Sequence, residues 1–184
     1  MRITKVQIHQ NFEMQRLEGT EHINTFDCGD EDLNDYIVNE SPNYTKAMIS
    51  VTYIIIDKNQ EDKIIAYFSL ANDKLSVSDF NSNSEFNRFR KHRFPHEKIL
   101  RSYPAVKLCR LAVSISAKDM GIGTEIINFI KGLYKQGNRA GCRFVTVDAY
   151  NTAVPFYEKN GFMLLTKKES TGLTTPLYYD LATL

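Results

Sequence analysis

Between Ala105 and Gly137 the chain passes from an apolar, β-prone run through a glycine-containing loop into a helical repeat, and few folds accommodate that succession. Ala105 to Val113 reads as a strand, and Gly121-Ile122-Gly123 ends the loop. Ile122, Ile126, Ile127, Ile130, Leu133 and Tyr134 then recur at helical spacing until Gly137 closes the helix. A strand that feeds a turn and then a helix collects unpaired backbone N–H groups and the positive end of the helix dipole at one point, an arrangement that binds phosphate oxygens. Glycine at 121 and 123 would let a pyrophosphate approach the backbone, and Thr124 adds a hydroxyl in the first turn. A third glycine, as in dinucleotide folds, is missing, and no Gly-Lys-Ser/Thr follows as in a P-loop, so the phosphate ligand expected is neither NAD nor ATP. Glycines that serve only the turn itself are the plainer reading of the same residues.

The rest of the chain supplies strands and short helices around this unit. Residues 2–8 and 50–57 are rich in β-branched and aromatic residues, and Ile64 to Leu70 forms a second strand beyond the turn-like segment 58–63, giving an antiparallel hairpin. Asp30 to Ile37 opens with acidic residues that suit a helix N-terminus, and Pro42 is expected to end that helix. Asp79 to Tyr103 is polar and then basic, without strand alternation, and reads as a partly helical insertion. Arg143 to Ala149 is the next strand, Thr152 to Lys159 a short helix, and Phe162 to Leu165 and Leu177 to Leu181 two closing strands. The sum is a mixed α/β chain of one domain, residues 1–184, with a basic insertion around 79–103.

Composition narrows the function classes. No stretch reaches the length of apolar sequence a membrane span needs, and the start lacks a signal-peptide core, so a soluble cytoplasmic protein is expected. Cys28, Cys109 and Cys142 lie far apart and read as buried reduced thiols; the four histidines, His9, His22, His92 and His96, are scattered, and no metal is expected. The net charge of +1 hides an asymmetry: residues 13–40 are acidic, whereas residues 85–101 carry Arg88, Arg90, Lys91, Arg93, Lys98 and Arg101. Arg88, Arg90, Lys91 and Arg93, interleaved with Phe89 and Phe94, suit RNA phosphates and bases, or else form a solvated basic face.

A second constellation runs from Asn151 to Phe162, where Phe156 and Tyr157 stand about 100° apart on a helix, so that one packs inward and the other faces a cleft. The two constellations, in this order, resemble the GCN5-related N-acetyltransferases (GNAT). Lys118-Asp119-Met120-Gly121-Ile122-Gly123 is similar to the family's Gln/Arg-x-x-Gly-x-Gly/Ala pyrophosphate cradle, with Lys118 in place of Gln or Arg and Asp119 where many members have glycine. Asp119 would bring a carboxylate near the phosphates and weaken cofactor binding. Leu111-Ala112-Val113 looks like the family's splayed strand, whose backbone holds the acetyl carbonyl and the pantetheine arm. Asn151, Phe156, Tyr157, Gly161 and Phe162 match the family's Asn-x-x-Ala-x-x-Phe-Tyr-x-x-x-Gly-Phe signature, with Ala153 one place early.

The resemblance implies a GNAT fold, a mostly antiparallel mixed sheet flanked by helices, with acetyl-CoA as co-substrate held by residues 111–113 and 118–124 together with Asn151 and Phe156, and Tyr157 at the reacting thiol. Phe26-Asp27-Cys28-Gly29 with Leu33 and Tyr36, and Tyr103 to Leu108 ahead of Arg110-Leu111-Ala112-Val113, look like the subgroup that contains toxins of toxin-antitoxin pairs, which acetylate the α-amine of aminoacyl-tRNA. That subgroup implies tRNA and an antitoxin as partners, with the protein itself a monomer or homodimer.

Magnitudes bear on the acceptor. A lysine amine with a pKa of about 10.4 pays ~4.6 kcal/mol to be neutral at pH 7, whereas an α-amine near 8 needs only ~1.4 kcal/mol. Residues 105–113 hold no glutamate or histidine to act as base, which leaves Asp148 or water and favours an α-amine. Acetylation of a small amine or a protein N-terminus, a non-catalytic acyl-CoA-binding module, and a dimer joining acidic to basic surface stand as the other readings.

Overall fold

The computed structural model describes residues 5–9, 11–19, 23, 26–91, 93–94, 100–136, 140–166 and 172–183, with residues 5–9 described in their backbone only. The expectations for residues 2–4, for the closing Gly137, and for His22, His92, His96, Pro95 and Lys98 lie outside the described residues.

The chain divides into two compact units, residues 1–71 with 108–130, and residues 72–107 with 131–184. The first holds β1 (Lys5–His9), β2 (Phe12–Arg16), α1 (Glu31–Asp35), α2 (Ser41–Lys46), β3 (Val51–Asp57), and the near parts of β4 (Lys63–Ser76), β5 (Ser102–Val113) and α4 (Ile122–Lys135). Its strands lie in the order β1-β2-β3-β4-β5, with β1 to β4 antiparallel. The second holds the far parts of β4, β5 and α4, with α3 (Asn83–Lys91), β6 (Phe144–Tyr150), α5 (Val154–Lys159), β7 (Met163–Leu164) and β8 (Thr174–Asp180). Here the order is β4-β5-β6-β8-β7; β5 and β6 run parallel, and β6-β8 and β7-β8 antiparallel. This is the mixed, mostly antiparallel α/β architecture expected.

In the first unit, α1 starts where the sequence predicts, because Asp30 caps it by accepting from the Leu33 N–H at 3.1 Å. Pro42 does not stop the helical run. A π turn, Tyr36–Glu40, follows α1, and α2 then begins at Ser41 with the proline in its first turn, where the missing N–H costs nothing. These segments cover a core of Ile37, Ile54, Ile56, Ile64, Tyr67 and Ala112. Strand β4 is longer than Ile64 to Leu70 and carries a bulge: Ile55 pairs with Ala66 and Ile56 with Ile64, leaving Ile65 unpaired with β3.

In the second unit the segment read as a partly helical insertion lies between β4 and β5. Within residues 79–103 the segment 83–91 forms α3, whose Phe86 and Phe89 pack with Phe80, Tyr103, Phe144 and Tyr178 in an aromatic core. Strand β5 already begins at Ser102. The closing strands are offset from the expected spans, since β7 keeps only Met163–Leu164 and β8 ends at Asp180. Helix α5 ends at Gly161, whose φ of +78° is left-handed and beside which an added Cβ would meet Tyr179 Cε2 at 3.3 Å. The substitution Gly161→Ala is expected to lower unfolding free energy by about 1 to 2 kcal/mol through backbone strain and this contact; equilibrium denaturation measures it, and an unchanged midpoint would refute it.

Candidate active site

The segment after β5 is fixed by three backbone bonds. The unpaired Ile65 of the bulge gives its carbonyl to the Ser114 N–H at 2.8 Å, and Asp27 gives its carbonyl to the Ile115 N–H at 2.9 Å. The Ser114 carbonyl takes the Ala117 N–H at 2.9 Å. Asp27 is itself held within a small knot. Its carboxylate accepts from the Gly29 N–H at 2.8 Å and from the Asn34 amide at 2.9 Å, bonds that keep it below the usual carboxylate range. The Cys28 N–H and thiol both meet Asn34 Oδ1, at 2.9 and 3.1 Å. The Phe26-Asp27-Cys28-Gly29 motif is therefore a brace for the end of β5; sequence reading noticed the motif but not this task.

Beyond the brace the chain turns into α4 through two left-handed residues, Asp119 with φ +66° and Gly121 with φ +77°. Such a turn swings successive N–H groups toward one side and forms a concave anion site. The first helical bond runs from the Glu125 N–H to the Gly121 carbonyl at 3.1 Å. None of the N–H groups from Asp119 to Thr124 finds an acceptor among the described residues. A Cβ on Gly121 would meet nothing within 4 Å, so the space in front of it is open. Lys118, Asp119 and Met120 are exposed around that space, while Ile122 is buried and anchors the helix start. These residues fit a pyrophosphate: free donors, a helix terminus, open approach and one neighbouring cation.

Leu111 and Val113 are half-buried on β5 and Ala112 is buried in the core. With the Ser114 and Ile115 N–H groups engaged, any polarising donor from this strand must come from Val113 or earlier. On α5, Tyr157 is 6% exposed and packs edge-on against Phe156 at 5.1 Å and Phe162 at 5.4 Å. Its hydroxyl has no hydrogen-bond partner among the described residues, and burial pushes its pKa well above the ordinary phenol value.

Other expected residues are otherwise engaged. The Asn151 amide donates to the Gly172 carbonyl at 2.9 Å and its oxygen accepts from Thr175 at 2.8 Å, so this side chain fastens the segment ahead of α5 to the start of β8. Arg93, one of the cations expected to face RNA, bonds Asp180 at 3.2 Å, the Phe89 carbonyl at 2.9 Å and the Tyr178 hydroxyl at 2.6 Å. Arg88 and Lys91 are exposed on α3, and Arg90 is half-buried with its Nε on Asn87 at 2.9 Å. Asp148, one of the two sources of a base, is ion-paired with Lys107. The three cysteines are free and half-buried, not fully buried.

The fold and the open turn ahead of α4 agree with the GNAT architecture expected. Residues 98–173 match the model of the acetyltransferase (GNAT) domain. Among solved structures the chain is similar to AtaT complexed with acetyl-methionyl-tRNA, at 20% identity and a TM-score of 0.73 over 92% of this chain and 95% of that one. It is similar to a tyrosine-to-phenylalanine mutant of KacT at 19% identity and a TM-score of 0.69, over 94% and 96%. A mutant AtaT toxin bound to the C-terminus of the antitoxin AtaR and acetyl-CoA aligns at 20% identity and a TM-score of 0.66, over 94% of each chain. No curated protein gives a significant sequence match. No helix among the described residues is long and apolar enough to cross a membrane.

The left-handed φ of Asp119 accounts for the glycine many family members carry there. Asp119→Gly is expected to leave stability unchanged or raise it by up to about 1 kcal/mol. It should also tighten acetyl-CoA binding about fivefold by removing a carboxylate from the phosphate turn. Calorimetric titration checks this, and weaker binding by the variant would overturn it.

Proposed function

We propose that this protein transfers the acetyl group of acetyl-CoA to the α-amine of an aminoacyl-tRNA, in the manner of a toxin held in check by an antitoxin. The observation that carries an acetyl-transfer site is the turn at Asp119 and Gly121 with its unpaired N–H groups, following a strand end that is braced rather than free. The likeness to AtaT with acetyl-methionyl-tRNA supports the acceptor, as does the absence of a catalytic carboxylate or histidine on residues 105–113. An acceptor whose amine is already neutral to a useful extent at pH 7 needs no strong base; the remaining ~1.4 kcal/mol is within reach of solvent water. Arg88 and Lys91 on α3 are exposed cations suited to the phosphate backbone of such an acceptor.

In this reading Lys118 and the N–H groups of residues 119–124 hold the pyrophosphate, and β5 up to Val113 holds the acyl arm and polarises the thioester carbonyl. One such donor is commonly worth ~3 to 4 kcal/mol in the transition state. Tyr157 donates a hydrogen bond to the departing sulfur. Its burial decides the form of that contact: a phenol raised above its ordinary value is a poor proton donor to a thiolate near pKa 8.5, so the hydroxyl stabilises the thiolate without handing over its proton. Acetylation of a small amine remains the second reading, favoured by the engagement of Arg93, which thins the basic face.

Incubation with [acetyl-14C]acetyl-CoA and charged bulk tRNA, beside amino acids, polyamines and N-terminal peptides, is expected to label the tRNA; label confined to a small amine would overturn the acceptor. Tyr157→Phe should lower turnover about 100-fold with acetyl-CoA affinity nearly unchanged, and equal turnover would reject its role. The pH profile follows from the same assignment. Because burial raises the Tyr157 pKa, the hydroxyl stays protonated through the alkaline range, and kcat/KM should rise with pH as the acceptor amine, near pKa 8, loses its proton and then level off. A fall between about pH 8 and 9.5 would contradict a protonated tyrosine.

A further inference from the structure

Arg110 stands on β5 one residue before Leu111, within the unit that carries the braced strand end and the phosphate turn. Its guanidinium lies 5.0 Å from the ring centroid of Tyr36, which stacks on Tyr67 at 6.1 Å with 17° between the planes. Tyr67 in turn donates to the Leu33 carbonyl at 2.6 Å, so this aromatic wall is pinned to α1. The charge itself is poorly matched. One amine donates to the Cys109 carbonyl of its own strand at 3.1 Å, and the other stands 4.0 Å from the Asp32 carboxylate, beyond hydrogen-bond range. The Nε is shut off from solvent and has no acceptor among the described residues. The side chain is 35% exposed, so its face toward solvent is open.

The same protein shows how its structural arginines are satisfied. Arg93 and Arg143 share the carboxylate of Asp180, which is 4% exposed, at 3.2 and 2.8 Å. Arg110 has only the exposed Asp32 carboxylate at 4.0 Å and one backbone carbonyl, although withdrawing a guanidinium from water against an aromatic face with few acceptors is unfavourable. A half-covered, under-neutralised cation beside the strand that holds the acyl arm is a receptor for an anion on the other substrate.

We propose that Arg110 is a specificity-determining residue that receives an anionic group of the acceptor and so aligns its amine with the thioester. The inference rests on the assignment of β5 as the acyl-holding strand. The shared chemistry is an oxyanion: the phosphate of the terminal nucleotide if the acceptor is an aminoacyl-tRNA, or the carboxylate if it is a free amino acid.

The test compares wild type, Arg110→Gln and Arg110→Lys on two acceptor pairs, 3′-O-aminoacyl-adenosine 5′-phosphate against its dephosphorylated form, and an amino acid against its amide. Wild type is expected to favour the anionic member of one pair by about tenfold in kcat/KM, chiefly through KM. That preference disappears in Arg110→Gln and is partly kept in Arg110→Lys, while calorimetric affinity for acetyl-CoA is the same in all three. The pair that shows the effect identifies the source of the anion. A preference that survives Arg110→Gln, or a wild type without one, overturns the inference while leaving acetyl transfer standing. If wild type turns over none of these acceptors, the acceptor reading fails separately. Equilibrium binding of the stable 3′-amide of the phosphate-bearing compound then decides: loss of binding in Arg110→Gln supports the inference, and no binding or equal binding refutes it. Should Arg110→Gln no longer bind acetyl-CoA, Arg110→Lys alone decides, its raised KM for the anionic member being the expected result and an unchanged KM the contrary one.

Discussion

A single peptide of β4 left out of the β3 ladder fixes the strand end ahead of the turn into α4. Ile65, which β3 skips, gives its carbonyl to the Ser114 N–H, and the residue after β5 is tied to the middle of a buried strand. From there Asp27 takes the Ile115 N–H, and the Asp27–Asn34–Cys28 knot transmits the position of α1 to the same point. The bond energies are ordinary, of the order of 1 kcal/mol each. Their value is positional: a turn that must present several N–H groups to one phosphate cannot wander relative to the strand before it, since misplacement by about 1 Å can reduce a rate 100-fold.

The polar groups of the protein fall into two populations that differ in satisfaction. Asp180 with Arg93 and Arg143, Asn151 with Gly172 and Thr175, and Asp27 with Gly29 and Asn34 are closed on themselves and hold elements in place. The N–H groups of residues 119–124, the hydroxyl of Tyr157 and the Nε of Arg110 are left open among the described residues. Folding alone gives no reason to leave such groups unmatched, since each could be hydrogen-bonded or replaced at some gain in stability. Under the proposed function these are the groups that would meet substrates.

Much of this was legible in the sequence because it rests on local rules. The strand-turn-helix succession, the helix over Ile122 to Tyr134 and the hairpin from Val51 onward follow from apolar periodicity and turn chemistry, and the structure has them. What was not legible depended on partners distant in sequence. Asn151 and Arg93 have the right chemistry for ligand contacts, and only the fold reveals that they also bond Thr175 and Asp180. Pro42 was read as a terminator because its position relative to the helix start, which decides whether its missing N–H matters, is invisible without the π turn before it. The bulge leaves no trace in an apolar run such as Ile64-Ile65-Ala66, and Arg110 is one cation among many in the sequence, which does not show that its nearest carboxylate, Asp32, stands at 4.0 Å.

The Asp180 clasp gives α3 an unequal pair of ends. Arg93, just past the helix, is bolted to the last residue of β8, whereas Arg88 and Lys91 ride on the outer surface of the same short helix. A polyanion that gathers the outer cations therefore meets a platform already clamped from below, and its attraction is not dissipated in rearranging the helix. By the same mechanics the final strand acts as a latch: whatever loosens β8 at Asp180 is felt as slack in the basic surface, so two parts of the chain separated by 87 positions share one mechanical fate.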